Sequence, residues 1–341
     1  MVLHLKRHND YSIVYLLRHY KCNLNSAERI NYMNEKRNDE KRWTEKEIGS
    51  QRGKNVIVTG TGGLGFEAAL SLAGAGAHVI LAGRNAEKGK AAVQGVKEKY
   101  SSANVEFQKL DLADLASIET FSKIVLSKIE KLDILINNAG VMATPKRRVT
   151  KDNFELQLGT NYLGHFALTA RLIPLLRKAN APRVVTVSSM AHRSGKIHFD
   201  DLQLEHGYKP NVAYSQSKLA CLMFALELHK RSVSEGWGIT SIGVHPGGVA
   251  TDLIDNGPGK NLYTRLIYHT LQTPSEGVRA TLLAATSSEV KSGSFYGPTR
   301  FMEIYGYPKL ITPASQALNA QASAKLWDVS CKLVHLDFHN K

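Results

Sequence analysis

The chain has 341 residues, 43% hydrophobic and 22% charged, which is ordinary globular composition with apolar side chains for one large core or two smaller ones. No apolar run approaches the roughly 18 residues of a membrane span, and the run Tyr11–Leu17 is too short and lacks a following small-residue cleavage site. The formal net charge is +14, but Lys and Arg are spread along the chain rather than gathered in a stripe. That argues against nucleic-acid binding and leaves an anionic cofactor or peripheral contact with a membrane surface as the attraction.

Cys22, Cys221 and Cys331 form no CxxC pair and no metal-ligand spacing, so no metal site is expected and a reducing, cytoplasmic compartment fits. Residues 1–53 are rich in Lys, Arg, Glu, Asp and Asn, with few apolar residues after Leu17. They read as a charged, flexible extension. Its first part can form a short amphipathic helix on a membrane surface; the alternatives are a dispensable leader or a start codon placed too early.

The folded domain is expected over residues 54–335, followed by a short tail, 336–341. Val56-Ile57-Val58 is a buried-strand signal. It runs into Thr59-Gly60-Thr61-Gly62-Gly63-Leu64-Gly65, then a helical pattern through Ala73, then the strand His78–Ala82. Strand, glycine turn, helix and strand in this compass form a dinucleotide-binding unit. Glycines let the backbone approach a pyrophosphate, and the helix start offers amide donors.

The alternation continues. Val105–Leu110 reads as a strand ending at Asp111, with a helix to about Lys131. Asp133–Ile136 is a strand ending at Asn137-Asn138-Ala139-Gly140. A long helix runs from about Asn153 to Lys178, with Pro174 expected to kink it or end it early. Arg183–Val187 is a strand with Ser188-Ser189 at its end. Ile239–Val244 ends at His245-Pro246-Gly247-Gly248, and Gly293–Tyr296 reads as a last edge strand. The fold expected is α/β, a single Rossmann-type doubly wound parallel sheet with helices on both faces. In such sheets ligands bind beyond the carboxyl ends of the strands, where these polar residues cluster.

Tyr214 and Lys218 lie four apart on one helix, one turn from each other. Tyrosine is a poor base at neutral pH, and an ammonium nearby favours the phenolate. With a serine hydroxyl beside it, such a pair moves a proton on and off a carbonyl oxygen. The polar stretch 190–212 is expected near the substrate mouth, lining it with Met190, Phe199 and Tyr208. Asp111 has the alternative reading of an N-cap for the following helix, and Asn137-Asn138 that of a strand-end turn. The strand ending Leu81-Ala82-Gly83-Arg84-Asn85 carries no carboxylate for a ribose 2′-hydroxyl. Arg84 is placed to pair with a 2′-phosphate, which favours NADP(H) and leaves NAD(H) second.

On these residues the chain resembles the short-chain dehydrogenase/reductase family. The match runs through the glycine turn, Asp111, Asn137–Gly140, Asn161 in Asn-Tyr-Leu-Gly-His-Phe, Ser189, Tyr214 with Lys218, and Pro246-Gly247. It is similar to the branch holding retinol dehydrogenases, protochlorophyllide reductases and bacterial relatives. Ser188–His192, Ile197–Leu202, Tyr214–Ala220 and the 25-residue interval from Ser189 to Tyr214 carry the narrower match. The resemblance implies Tyr214 as acid or base, Lys218 favouring its phenolate and binding the nicotinamide ribose, and Ser189 holding the substrate oxygen. Asn161 would anchor a water. Gly60, Gly63, Gly65, Asp111, Asn138, Ala139, Gly140, Pro246, Gly247 and Thr251 would contact the cofactor.

The glycine turn departs from the family pattern by one missing residue between Gly60 and Gly63, so its path must tighten or the helix start must move. The expected partner is a small carbonyl or alcohol, lipophilic in character, with homo-oligomers open. A second reading is a non-catalytic nucleotide-binding relative with a regulatory or interaction role.

Overall fold

β1 (Asn55–Thr59) shows why the sheet is parallel and central: it is buried on both faces. Ile57 points into one apolar cluster, while Val56 and Val58 point into the other. A strand covered on both sides reads as a continuous apolar run, as Val56–Val58 does. The computed structural model describes residues 42–142, 144–250 and 271–338. Its eight-stranded sheet has the order β3-β2-β1-β4-β5-β6-β7-β8, adding β2 (His78–Gly83), β3 (Val105–Lys109), β4 (Ile134–Asn137), β5 (Arg183–Val187), β6 (Thr240–Val244), β7 (Phe295–Arg300) and β8 (Tyr305–Leu310). Seven strands are parallel; β8 pairs antiparallel with β7. The order reverses direction between β1 and β4, which creates the crevice that such sheets use for nucleotides.

Helices cover both faces. α1 (Gly63–Gly74), α2 (Ala86–Lys99) and a later α6 (Arg279–Thr286) supply one layer. α3 (Leu115–Lys128), α4 (Gly164–Leu176), α5 (Pro210–Ser234) and α7 (Ala320–Val334) supply the other. No helix among the described residues is long and apolar enough to cross a membrane.

Three elements differ from the sequence reading. The long helix expected from Asn153 is broken into a short turn, Leu156–Leu158, a π-helical turn, Gly159–Leu163, and α4. Pro174 sits inside α4, which ends two residues later at Leu176. The edge strand is β8, not the segment from Gly293. Packing also starts before Asn55: Trp43 is buried in the cluster on the α1 face, and Thr44 caps a 3-10 turn, Glu45–Glu47, from which Glu45 accepts from Arg279 Nε at 3.1 Å.

α7 docks through aromatic rings. Trp327 lies 5.0 Å from Phe166 and 5.8 Å from Phe224 by ring centroid, and 4.4 Å from Phe338, which is buried in the stretch read as a tail. The Arg231 guanidinium stacks 4.6 Å from the Trp327 ring. Trp327→Ala should therefore cost about 3–5 kcal/mol of stability, the range for emptying a large aromatic site. Urea unfolding measures it; a loss below about 1 kcal/mol would show that α7 is held by something else.

Candidate active site

The first component is the glycine turn. β1 ends at Thr59, and Gly60 takes φ +93° while its amide donates to Ala82 O at 2.8 Å. Gly62 is the N-cap of α1 and offers no side chain to the first-turn amides. A Cβ on Gly65 would lie 2.2 Å from Gly60 O, so only glycine lets the helix start sit on the turn. With one residue fewer than the family pattern, the turn closes through left-handed φ at both Gly60 and Gly63. The result is a bare backbone cradle at a helix N-terminus, which fits a cofactor pyrophosphate.

The Thr59 hydroxyl holds the turn to the rest of the site. It accepts from the amides of Asn138 and Ala139 at 2.9 and 3.0 Å. The Asn138 amide group in turn donates to Thr59 O at 2.8 Å. The same hydroxyl lies 2.8 Å from His165 Nε2, and His165 Nδ1 lies 2.9 Å from Asn161 O. A carbonyl only accepts, so Nδ1 carries the proton and Nε2 accepts from Thr59. His165 is buried, and desolvation lowers its pKa to about 4, consistent with a neutral ring.

The second component is built on α5. Lys218 is buried, and its ammonium donates to Val187 O at 3.0 Å, two residues before Ser189. It also lies 5.9 Å from the centroid of the Tyr214 ring one helical turn away. Ser189 lies two residues beyond the end of β5 and caps the 3-10 turn Met190–Ser194, accepting from the Ala191 amide at 3.2 Å. Asn161 projects from the π-helical turn. Its Oδ1 accepts from the Val141 amide at 2.7 Å, and its Nδ2 donates to Val141 O and Ser217 Oγ, each at 2.9 Å. Gly140 is fitted between them: a Cβ there would meet Asn161 Oδ1 at 3.1 Å and Lys218 Nζ at 3.6 Å.

The remaining sequence-selected residues lie around this centre. Asp111 is half-buried; its Oδ1 accepts from the Ala113 amide at 3.0 Å, and its own amide donates to Ser117 Oγ at 2.9 Å. It is not the N-cap of α3; Asp114 fills that position and accepts from Ala116 and Ser117. Arg84 is exposed immediately beyond β2. Pro246 and Gly247 follow β6, with Gly247 at φ +80°. Thr251 lies outside the described residues.

Two residues expected at the substrate mouth have internal partners. Phe199 packs on the core beneath the Lys325 ammonium at 4.4 Å, and Tyr208 Oη bonds Thr144 Oγ1 at 2.6 Å and Gln157 Nε2 at 3.0 Å. Sequence reasoning missed His165, whose only signal is its place four residues after Asn161, one helical turn on.

The family model described as short chain dehydrogenase matches residues 54–258. Human retinol dehydrogenase 11 is 38% identical over 287 residues, covering 83% of this chain and 86% of that protein. Polyprenol dehydrogenase of Danio rerio is 39% identical over 301 residues, covering 85% and 89%. The crystal structure of an uncharacterized protein from Mycobacterium paratuberculosis superposes with a TM-score of 0.73 at 38% identity, covering 88% of this chain and all of that one.

The buried His165 ring makes stability depend on pH. Its folded pKa of about 4 lies below its ordinary 6.5, so the unfolded chain binds the proton first as pH falls. The stabilisation is complete above about pH 6.5 and is lost progressively down to about pH 4. Between pH 7 and 5 this amounts to about 2 kcal/mol. Urea unfolding of the wild type should show a steeper acid-side loss than His165→Gln by that amount; parallel profiles would refute a neutral buried ring.

Proposed function

Because the chain belongs to the short-chain dehydrogenase family, as a nicotinamide-dependent oxidoreductase acting on CH–OH and C=O groups, we propose that it uses NADP(H) on a lipophilic substrate of retinoid or polyprenol type. The observation that carries the assignment of the site is Lys218, a buried ammonium tied to Val187 O at 3.0 Å and set 5.9 Å from the Tyr214 ring. A lysine is buried only where its charge has work and partners.

In this reading the cofactor supplies or takes the hydride. Tyr214 delivers a proton to the substrate oxygen in reduction and removes it in oxidation. Ser189 donates to the same oxygen, and Lys218 stabilises the phenolate form and reaches the ribose hydroxyls. Asn161 holds Val141 in the loop after β4 and bonds Ser217, and is proposed to anchor the water expected beside Lys218. The glycine cradle at Gly60, Gly63 and Gly65 takes the pyrophosphate, with Asp111, Asn138, Ala139 and Gly140 along the adenosine and ribose side, and Pro246 and Gly247 on the far side. Relatives named retinol and polyprenol dehydrogenases support a long apolar substrate. That Ser189, Tyr214, Lys218 and Asn161 are all present in the chain supports this reading over the non-catalytic one.

Turnover of all-trans-retinaldehyde with NADPH tests the substrate class against simple aldehydes, steroids and quinones. Tyr214→Phe should lower that turnover by about 10² to 10⁴-fold with cofactor affinity little changed. Lys218→Met should damage both, and full activity in Tyr214→Phe would remove the assignment. Arg84 is exposed just beyond β2 and is proposed to pair with a 2′-phosphate, so Arg84→Ala should cut the NADPH over NADH preference about tenfold or more, the loss of one charge-assisted contact. Steady-state kinetics with each cofactor reads this out; an unchanged ratio places the selectivity elsewhere.

A further inference from the structure

The hairpin of β7 and β8 turns through three consecutive non-glycine residues with left-handed backbone, Phe301 (φ 48°), Met302 (55°) and Glu303 (65°). L-residues avoid this conformation, and a run of three persists only where surrounding contacts enforce it. The contacts here converge on Glu303. Its carboxylate receives both Nε and Nη2 of Arg193, with Nε at 3.2 Å. Its Oε2 also lies 3.2 Å from His245 Nε2, an off-axis approach rather than an aligned hydrogen bond. His245 Nδ1 accepts from the Gly247 amide at 3.2 Å, which leaves the proton on Nε2, toward Glu303. Burial would raise the Glu303 pKa, but the His245 and Arg193 contacts outweigh it and hold the carboxyl at about 2.

Both partners of Glu303 sit beside the site. Arg193 belongs to the 3-10 turn that Ser189 caps, and Arg193 Nη2 also donates to Thr312 O at 3.1 Å beyond β8. The neighbouring His192 donates from Nδ1 to Ser189 O at 2.7 Å and accepts the Ala314 amide at 3.3 Å. His245 directly precedes Pro246-Gly247, and the next residue of the hairpin turn, Ile304, accepts from the Gly248 amide at 2.8 Å. A Cβ on Gly247 would meet Ile304 O at 2.4 Å, so the two loops lie in direct contact.

We propose that Glu303 is a positioning residue whose carboxylate straps the turn carrying Ser189 to the loop carrying Pro246 and Gly247. It thereby sets the serine hydroxyl against the cofactor side of the site. This rests on the roles proposed above for Ser189 and for Pro246-Gly247. Glu303 touches no reacting atom; it acts through Arg193 and His245.

Glu303→Gln keeps the size of the side chain and removes its charge. Amide hydrogen exchange of the full chain tests the strap without any turnover. The segments 189–195 and 245–249 should both exchange about tenfold faster, because local opening becomes easier once the two loops are no longer tied together. Unchanged exchange in either segment overturns the proposal. Kinetics with NADPH and all-trans-retinaldehyde test its route. In the wild-type background kcat/KM should fall about tenfold, a loss typical of a displaced positioning group. In a Ser189→Ala background the same change should cost less than about twofold, because the effect passes through the serine. Equal losses in the two backgrounds overturn the proposal. Wild-type protein inactive with every carbonyl tried would count against the proposed function, and exchange would then decide the strap alone. Arg193→Gln breaks the same fork from the other side and serves if Glu303→Gln does not fold.

Discussion

One hydroxyl, that of Thr59, is the constraint on which the site depends. The last residues of a parallel strand leave amides that the ladder no longer satisfies, and a buried unpaired amide costs about 1–3 kcal/mol. At the end of β4 the Asn138 and Ala139 amides find the Thr59 hydroxyl on the neighbouring strand. Having accepted twice, the hydroxyl has one proton to give, and His165 Nε2 takes it at 2.8 Å, with Ile136 O next at 3.2 Å. The glycine turn, the Asn137–Gly140 segment and the helix bearing Asn161 thus share one bonding arrangement. Any displacement of one strand end is felt at the other two.

The π-helical turn explains how Asn161 can serve both sides. One extra residue in a turn lets a side chain and a carbonyl leave the regular helical ladder. Asn161 O is taken by His165 Nδ1 and Cys221 Sγ, while its amide group clasps Val141 and Ser217. Ser217 donates to Tyr214 O at 2.8 Å, and Ser188 donates to Lys218 O at 2.7 Å. The helix carrying Tyr214 and Lys218 is therefore held from two directions, by Ser188 at the end of β5 through the Lys218 carbonyl and by Asn161 of the π-helical turn through Ser217. A buried ammonium tolerates little displacement, because its donors must stay paired.

Much of this was legible in the chain. Val56–Val58 and Ile134–Ile136 announce doubly covered strands, the glycine turn marks the phosphate end, and Tyr214 and Lys218 share a helix face by spacing alone. What stayed hidden depends on contacts between distant segments. Trp43 is a lone aromatic in a charged stretch, and only the α1 face gives it a place to bury. Tyr305-Gly306-Tyr307-Pro308 carries two turn-favouring residues, yet it forms a strand because β7 supplies the partners. The π turn has an ordinary helical sequence, and its bulge follows from the demands on Asn161. Asp111 and Asp114 compete for one cap, and the three-residue offset decides it by where α3 begins.

The edge strand has a further consequence. Ile311 N donates to Phe295 O at 2.9 Å, so the pairs along β7 and β8 alternate from there, and Pro298 opposite Pro308 falls at a non-hydrogen-bonded position. In such a pair the backbone nitrogens face away from each other, which turns the Pro308 nitrogen outward. A strand from another molecule seeking to extend the sheet would meet a missing donor in the middle of its ladder. Among the described residues β8 is the last strand of the sheet, and its Pro308 makes that edge a poor template for aggregation, even with Leu310 exposed on it.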